Sequence, residues 1–193
     1  MINRLAKLEI KKKIMISIIG LSIATLGLLG FISAEKVANM AEIEKVIKES
    51  VTYAVTAGTL PEPFCSDTKG KIPDHIKQKV FDEITKKCNE MYSSDSELLK
   101  RRLESYKGGV SWQDRDYFRA LGGGIRKIEN LTISIDGDRA TAEADITKYT
   151  KLIESDGSVH TPEGTAHYKF SLIKEDGRWK IADEEFGVFP GGI

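Results

Sequence analysis

The sequence predicts an α+β domain that follows an N-terminal membrane-spanning segment. Three observations lead to this prediction: an uncharged apolar run over residues 14–32, helical periodicity through the first half of the remaining chain, and alternation of apolar and polar residues after residue 128. Of the 193 residues, 40% are hydrophobic and 30% are charged, a composition typical of a globular chain rather than a disordered one. The residues after the N-terminal segment suffice for one ordinary domain.

The first element is the uncharged run from Ile14 to Ile32, from which we expect a transmembrane anchor or signal over residues 14–33. As a helix the run spans about 28 Å, close to the ~30 Å hydrocarbon core and longer than the usual signal-peptide core of about 7–15 residues. The length therefore favours a retained anchor. Ser33 and Ala34 complete a tolerable cleavage site, so secretion after cleavage near Ala34 is the alternative.

The residues that flank this run predict its orientation. Three lysines at 11–13 precede it, so residues 1–13 form a basic tail that the positive-inside rule places in the cytoplasm, with the C-terminal domain extracytoplasmic. Because the tail is basic and the whole chain is neutral, the remainder is mildly acidic, which argues against a nucleic-acid partner. Gly20 and Ala24 are spaced so that two such helices would pack into a homo-oligomer.

Three amphipathic helices are expected next. The first, or a stalk leading into the domain, occupies residues 34–58, and residues 59–193 make up the remainder of the domain. The apolar stripe of the first helix is formed by Ile43, Val46, Ile47, Val51 and Ala54. A polar loop leads to Pro73, which opens a second helix. A capping-box pattern at Ser94 opens a third, which Gly108 should end.

The second half of the domain predicts a curved, four-stranded antiparallel meander. The turn sequences "DGD", "ESDGS" and "KEDG" separate its strands. An antiparallel sheet with one apolar face needs a cover, so the three helices should pack on that face. The alternation assigns to it Leu131, Ile133, Ile135, Ala140, Ala142, Ala144, Ile146, Tyr168, Phe170, Leu172, Trp179 and Ile181.

Two stretches of the predicted sheet carry a family resemblance. "IENLTISIDGDRATAEADI" followed by "YKFSLIKEDGRWKIADEEF" resembles the C-terminal half of the nuclear-transport-factor-two-like superfamily, which includes the SnoaL-like domains. The likeness covers residues 40–189 and implies a cone-like α+β roll. Enzymes of this superfamily hold an acid or base inside the cone. The shared turn motifs mark a fold rather than an activity.

The ionisable residues give no catalytic assignment. Glu143, Asp145 and His167 alternate onto the face opposite the helices, and only Asp183 and Glu185 are placed near the mouth of the cone. The predicted interior is therefore dry and uncharged. A one-residue slip at a bulge would reverse this assignment.

Two features leave alternatives open. The alanines of the second strand accommodate either a closely packed helix or a pocket for a small apolar ligand, lined by Tyr168, Phe170 and Trp179. Cys65 and Cys88 either form a disulfide after export or remain separate thiols. Neither histidines nor further cysteines accompany them at metal-ligand spacing, so we expect no metal and no cofactor.

Two functions are compatible with this sequence. The first is a membrane-anchored extracytoplasmic interaction or assembly module without catalytic activity, bound to protein partners and similar in layout to bitopic subunits of secretion and conjugation complexes. The alternative is a small-ligand-binding protein or an isomerase- or cyclase-like enzyme that uses the cone. A buried carboxylate or histidine beside an open pocket favours the second. A filled aliphatic interior with an exposed apolar patch favours the first.

Overall fold

The computed structural model describes residues 34–115 and 118–188. This part of the chain contains three helices and five strands, numbered in chain order. Their bounds are α1 34–56, α2 Asp74–Met91, α3 Glu97–Arg115, β1 Phe118–Asp136, β2 Arg139–Glu154, β3 Val159–His160, β4 Glu163–Glu175 and β5 Arg178–Val188. The chain divides into two compact units, Met1–Ala41 and Glu42–Ile193, and the sheet lies in the second.

The N-terminal expectations lie mostly outside the structure. The basic tail at residues 1–13 and the transmembrane anchor or signal at residues 14–33 are not among the described residues. Of the helices that are described, none combines the length and the apolar character needed to cross a membrane.

The sheet is antiparallel throughout, with the strand order β1-β2-β4-β5. This arrangement confirms the predicted meander and adds the two-residue β3, which pairs with β2. Gly137, Gly157 and Gly177 stand in the three hairpin turns with φ values of 57°, 86° and 76°. Left-handed backbone of this kind is what the Asp-Gly turn sequences provide.

The core lies between the helices and one face of the sheet, called the inward face from here on. The expected strand residues from Ala140 to Ile146 and from Tyr168 to Leu172 are buried there, as are Trp179 and Ile181. The helices contribute Ile43, Ile47, Val51, Ile84, Cys88, Met91, Leu98, Leu99 and Val110 to the same cluster. Burial of each large aliphatic side chain contributes about 1.5–3 kcal/mol, so this contact dominates the stability of the domain.

Two glycine-containing segments differ from expectation. Gly108 does not end α3, which continues to Arg115 because Val110 and Gln113 beyond it are buried at 0% and 1% exposure. That burial outweighs the ~1 kcal/mol cost of a helical glycine. In β1, a Cβ added to Gly123 would lie 2.5 Å from the carbonyl oxygen of Tyr149 and 2.9 Å from Cγ2 of Val55. Glycine is therefore required where α1 meets the sheet.

Candidate functional site

A bulge in β5 changes which side chains face the helices. Leu172 pairs with Ile181, but the preceding Ser171 pairs with Asp183, so one residue of β5 is left over. Because side chains alternate along a strand, the extra residue turns Glu184 onto the inward face. Asp183 and Glu185, the carboxylates that the sequence placed near the mouth, are exposed instead.

The inward Glu184 forms an ion pair with Arg102 of α3. The guanidinium Nη2 lies 2.6 Å from Oε1 of Glu184, and the two side chains are only 20% and 5% exposed. Burial raises the pKa of the Glu184 carboxyl above its usual range, although the positive charges of Arg102 and Lys148 oppose the shift. The expectation of an uncharged interior is therefore wrong.

Aromatic residues surround this ion pair. The hydroxyls of Tyr92 and Tyr106 lie 3.2 Å apart in a hydrogen bond, and the Arg102 guanidinium carbon is 5.9 Å from the centroid of the Tyr106 ring. Burial raises the pKa of both phenols, so each remains a neutral hydroxyl. The ion pair thus sits in a low-dielectric environment, where its charges interact strongly.

Two buried polar atoms near the ion pair lack a hydrogen-bond partner within the described chain. They are Nε of Arg102 and the hydroxyl of Tyr168, a residue that is 2% exposed. Tyr168 stacks on Phe170, which pairs with Glu184 across the sheet, so Tyr168 lies in the same region of the inward face as the ion pair. An unsatisfied buried polar group costs about 1–3 kcal/mol, and such groups in a native fold call for a functional explanation.

A pocket of about 250 Å³ opens at the end of the inward face beyond Ile146. Lys148 projects into it, with its ammonium 5.5 Å from the centroid of the Tyr168 ring and 5.8 Å from that of Phe186. The two rings stack at 5.5 Å. The lining consists of Lys148, Thr150, Pro162, Glu163, Gly164, Thr165, Ala166, Tyr168 and Phe186, and is called the Lys148 pocket below.

The three predicted pocket residues do not share one cavity. Tyr168 lines the Lys148 pocket, and Phe170 stacks on Tyr168 with centroids 5.6 Å apart. Trp179 instead lines a separate groove of about 590 Å³ between α1, α2 and the β4–β5 hairpin. At the alanines of β2 the close-packing alternative describes the structure, since Ala140, Ala142 and Ala144 are buried in the core.

The other residues considered from the sequence lie away from the pocket. His167 and Asp145 are on the outer face, where Nδ1 of His167 is 2.7 Å from Oδ1 of Asp145 and Nε2 is 3.9 Å from Glu143. Cys65 and Cys88 are separate buried thiols in the structure. Burial raises the pKa of Cys88 to about 11, so this thiol stays protonated at neutral pH.

Arg102, Lys148 and Glu184 escaped the sequence assignment for different reasons. Arg102 follows Leu98 and precedes Tyr106 by four residues each, so helical spacing alone puts it on the buried stripe of α3. Lys148 continues the alternation one step past Ile146. Glu184 had no such signal, because its orientation depends on the bulge.

Family comparison supports the fold and its location in the chain. Residues 90–184 match the model of the SnoaL-like domain, a segment that contains Arg102, Lys148, Tyr168 and Glu184. Residues 90–184 form a SnoaL-like domain. The predicted superfamily resemblance is thereby confirmed for this segment.

One solved structure supports the fold of the SnoaL-like domain, and a second is similar at a lower TM-score. A hexachlorocyclohexane dehydrochlorinase LinA-type3 from Novosphingobium barchaimii aligns over 83% of this chain and 94% of its own, with a TM-score of 0.51 and 10% identity. The Kfla4162 protein from Kribbella flavida aligns over 79% and 92%, with a TM-score of 0.49 and 14% identity. No curated protein sequence matches this chain significantly. At such identities the likeness concerns the fold.

Proposed function

We propose that the SnoaL-like domain binds a small molecule in the Lys148 pocket. The observation that carries this proposal is an open cavity on the same face of the sheet as a charged pair and two unsatisfied polar atoms, Nε of Arg102 and the Tyr168 hydroxyl. Tyr168 belongs to both features, since it lines the pocket and holds one of the unsatisfied atoms. A buried carboxylate beside an open pocket was the condition that favoured ligand binding or catalysis over an assembly module.

Stability alone does not account for the Arg102–Glu184 pair. Taking two charges out of water costs several kcal/mol per ion, and replacing such a pair by apolar residues is often neutral or stabilising. The 2.6 Å contact through Nη2 of Arg102 offsets part of this free-energy cost, but Nε remains without a hydrogen-bond partner. A ligand that supplies an acceptor would recover more.

A direct titration tests the ligand-binding proposal. The purified full-length chain is titrated with 2-naphthoate and 2-naphthamide, and heats of binding are recorded by calorimetry. We expect saturable one-to-one binding that is lost in Ala166→Phe, which fills the cavity, and weakened in Phe186→Ala, which removes its exposed wall.

The matched control is Val159→Phe, which adds the same ring at an exposed position of β3, outside the pocket. We expect this variant to bind both probes like the wild type. Absence of saturable binding in the wild type, or binding that survives in both pocket variants, would contradict the proposal. Phe186 is 55% exposed, so Phe186→Ala is informative even if Ala166→Phe does not fold.

A second candidate function is proton transfer by Glu184, as in an isomerase- or cyclase-like enzyme. The observation that favours it is a buried carboxylate with a raised pKa, which is the state in which a general acid or base works near neutral pH. If Glu184 transfers protons, the protein should catalyse the exchange of an acidic proton of the ligand with deuterated solvent. We expect Glu184→Gln to abolish exchange but keep binding; equal exchange in both proteins would exclude it.

We infer from the apolar run and its lysine flank that residues 14–33 hold the domain outside the membrane, with residues 1–13 in the cytoplasm. N-terminal sequencing of the mature protein separates a retained anchor from cleavage near Ala34. An assembly role with protein partners has no supporting feature among the residues described.

A further inference from the structure

The charges around the Lys148 pocket do not cancel. Glu184 is neutralised by Arg102 at 2.6 Å, and Glu163 at the rim is paired with Arg126 at 3.1 Å. Lys148 takes part in none of the salt bridges formed within the described chain. One positive charge is therefore left over at the pocket.

The strand register holds this charge in place. Lys148 lies on the inward face two residues after Ile146, and its partner on β4 is Gly164. Because glycine has no side chain, the lysine stem has room to lie over the sheet. Its ammonium then stands above the faces of Tyr168 and Phe186. Cation–π contacts of this kind contribute about 0.5–1 kcal/mol at exposed sites, much less than a close ion pair in a desolvated pocket.

Nε of Arg102 and the Tyr168 hydroxyl, the two unsatisfied atoms of this region, can both donate a hydrogen bond. An arginine nitrogen only donates, whereas a phenolic hydroxyl also accepts, so these two atoms do not by themselves set the charge of the ligand. The surplus charge of Lys148 does, because it selects for a negatively charged group and against a positively charged one.

The remaining walls set the shape of the ligand. The stacked rings of Tyr168 and Phe186, with Pro162 and Ala166, form an apolar slot. Its volume of about 250 Å³ falls below the ~300–1,000 Å³ typical of ligand pockets, so it fits one or two fused rings rather than a larger molecule.

We propose that the ligand of the Lys148 pocket is a small monoanion with a flat apolar body, such as an aromatic carboxylate. Its anionic group pairs with Lys148, and its ring lies against Phe186. This inference rests on the proposed ligand-binding function and adds the charge and shape of the ligand.

Three isosteric probes test the charge of the ligand in the full-length chain: 2-naphthoate, the neutral 2-naphthamide and the cationic 2-naphthylmethylammonium. We expect 2-naphthoate to bind about tenfold or more tightly than the amide, a difference of about 1.4 kcal/mol, and the cation to bind most weakly. In Lys148→Met, the affinity for 2-naphthoate should fall to the affinity for the amide. The affinity for the amide itself should stay within about twofold of its wild-type value. Lys148→Arg should retain the preference.

The control for these titrations is Lys151→Met, which removes an exposed lysine from the same strand. It should leave all three affinities unchanged. Equal binding of acid and amide, or a preference that survives in Lys148→Met, would overturn the anion assignment while the ligand-binding proposal stands. Failure of all three probes to saturate the wild type would overturn both.

Discussion

Arg119 is buried and Arg102 is largely withdrawn from solvent, and the surroundings of these two arginines differ. Arg119 at the start of β1 is 1% exposed and lies 3.6 Å from Asp114. Its guanidinium donates to the carbonyl oxygens of Gly70, Phe64, Gln113 and Phe118 at 2.5–3.2 Å. All three of its nitrogens have partners, and the result is a junction that ties the loop before α2 and the end of α3 to the sheet.

Arg102 on the inward face has hydrogen-bond partners for only part of its guanidinium. One of its nitrogens pairs with Glu184, but Nε has no partner within the described chain. A completely satisfied buried charge holds a fold together, whereas an incompletely satisfied one retains the capacity to bind something else. The contrast between the Arg119 junction and the Arg102 pair therefore separates structure from proposed function.

The largest effect is expected at the junction. Arg119→Met removes one member of a buried ionic network and the donor that four carbonyls share, so the free energy of unfolding should fall by about 3–5 kcal/mol. Urea denaturation measures it. Arg126→Met is the control on the same strand, where the half-exposed pair with Glu163 contributes at most about 1 kcal/mol. Equal losses in the two variants would show that burial of Arg119 is not the cause.

A smaller loss is expected where α1 crosses the sheet. Gly123→Ala introduces a Cβ that overlaps Tyr149 and Val55, so the free energy of unfolding should fall by about 1–3 kcal/mol. Gly109→Ala in α3 should have the opposite effect on stability, since a Cβ at that position meets no atom within 4 Å. It should stabilise the domain by up to about 1 kcal/mol. Denaturant midpoints compare the two, and the same sign in both would contradict this account.

The pH dependence of stability provides a test of the Arg102–Glu184 pair. Because the folded-state pKa of Glu184 lies above its usual 4.5, the folded chain keeps a proton that the unfolded chain has lost. The free energy of unfolding therefore falls as pH rises from about 4.5 through the folded-state pKa. Glu184→Gln should flatten that part of the profile in urea denaturation at a series of pH values. A profile parallel to that of the wild type would contradict a raised pKa.

The smallest effect is expected on the outer face. His167→Gln removes the contact with Asp145, a partly exposed pair on the side of the sheet away from the pocket. We expect an unchanged unfolding midpoint at neutral pH and unchanged binding of 2-naphthoate. A loss of probe binding in this variant would mean that the functional face of the sheet had been misassigned.

The sequence was sufficient where periodicity is unbroken. Alternation from Ala140 to Ile146 and from Tyr168 to Leu172 identified the buried face, and helical spacing identified the covering helices, because burial imposes these periods directly. The α3 boundary was missed because the burial of Val110 outweighs the low helix propensity of Gly108.

The candidate site was less predictable than the fold. A bulge depends on pairing between β4 and β5 and has no sequence signature here, so the orientation of Glu184 was reversed. Arg102 was within reach of helical spacing, but an arginine is usually placed on the solvent side by its charge. The structure was needed to show that Arg102, a charge on the apolar stripe of α3, pairs with the buried side chain of Glu184.

If the Arg102–Glu184 pair serves binding and not stability, the double variant Arg102→Met/Glu184→Leu should lose affinity but not stability. The substitution leaves the net charge unchanged and fills the space with apolar side chains. We expect a free energy of unfolding equal to or above that of the wild type and an affinity for 2-naphthoate at least about tenfold weaker. A loss of several kcal/mol in stability with unchanged affinity would contradict the claim.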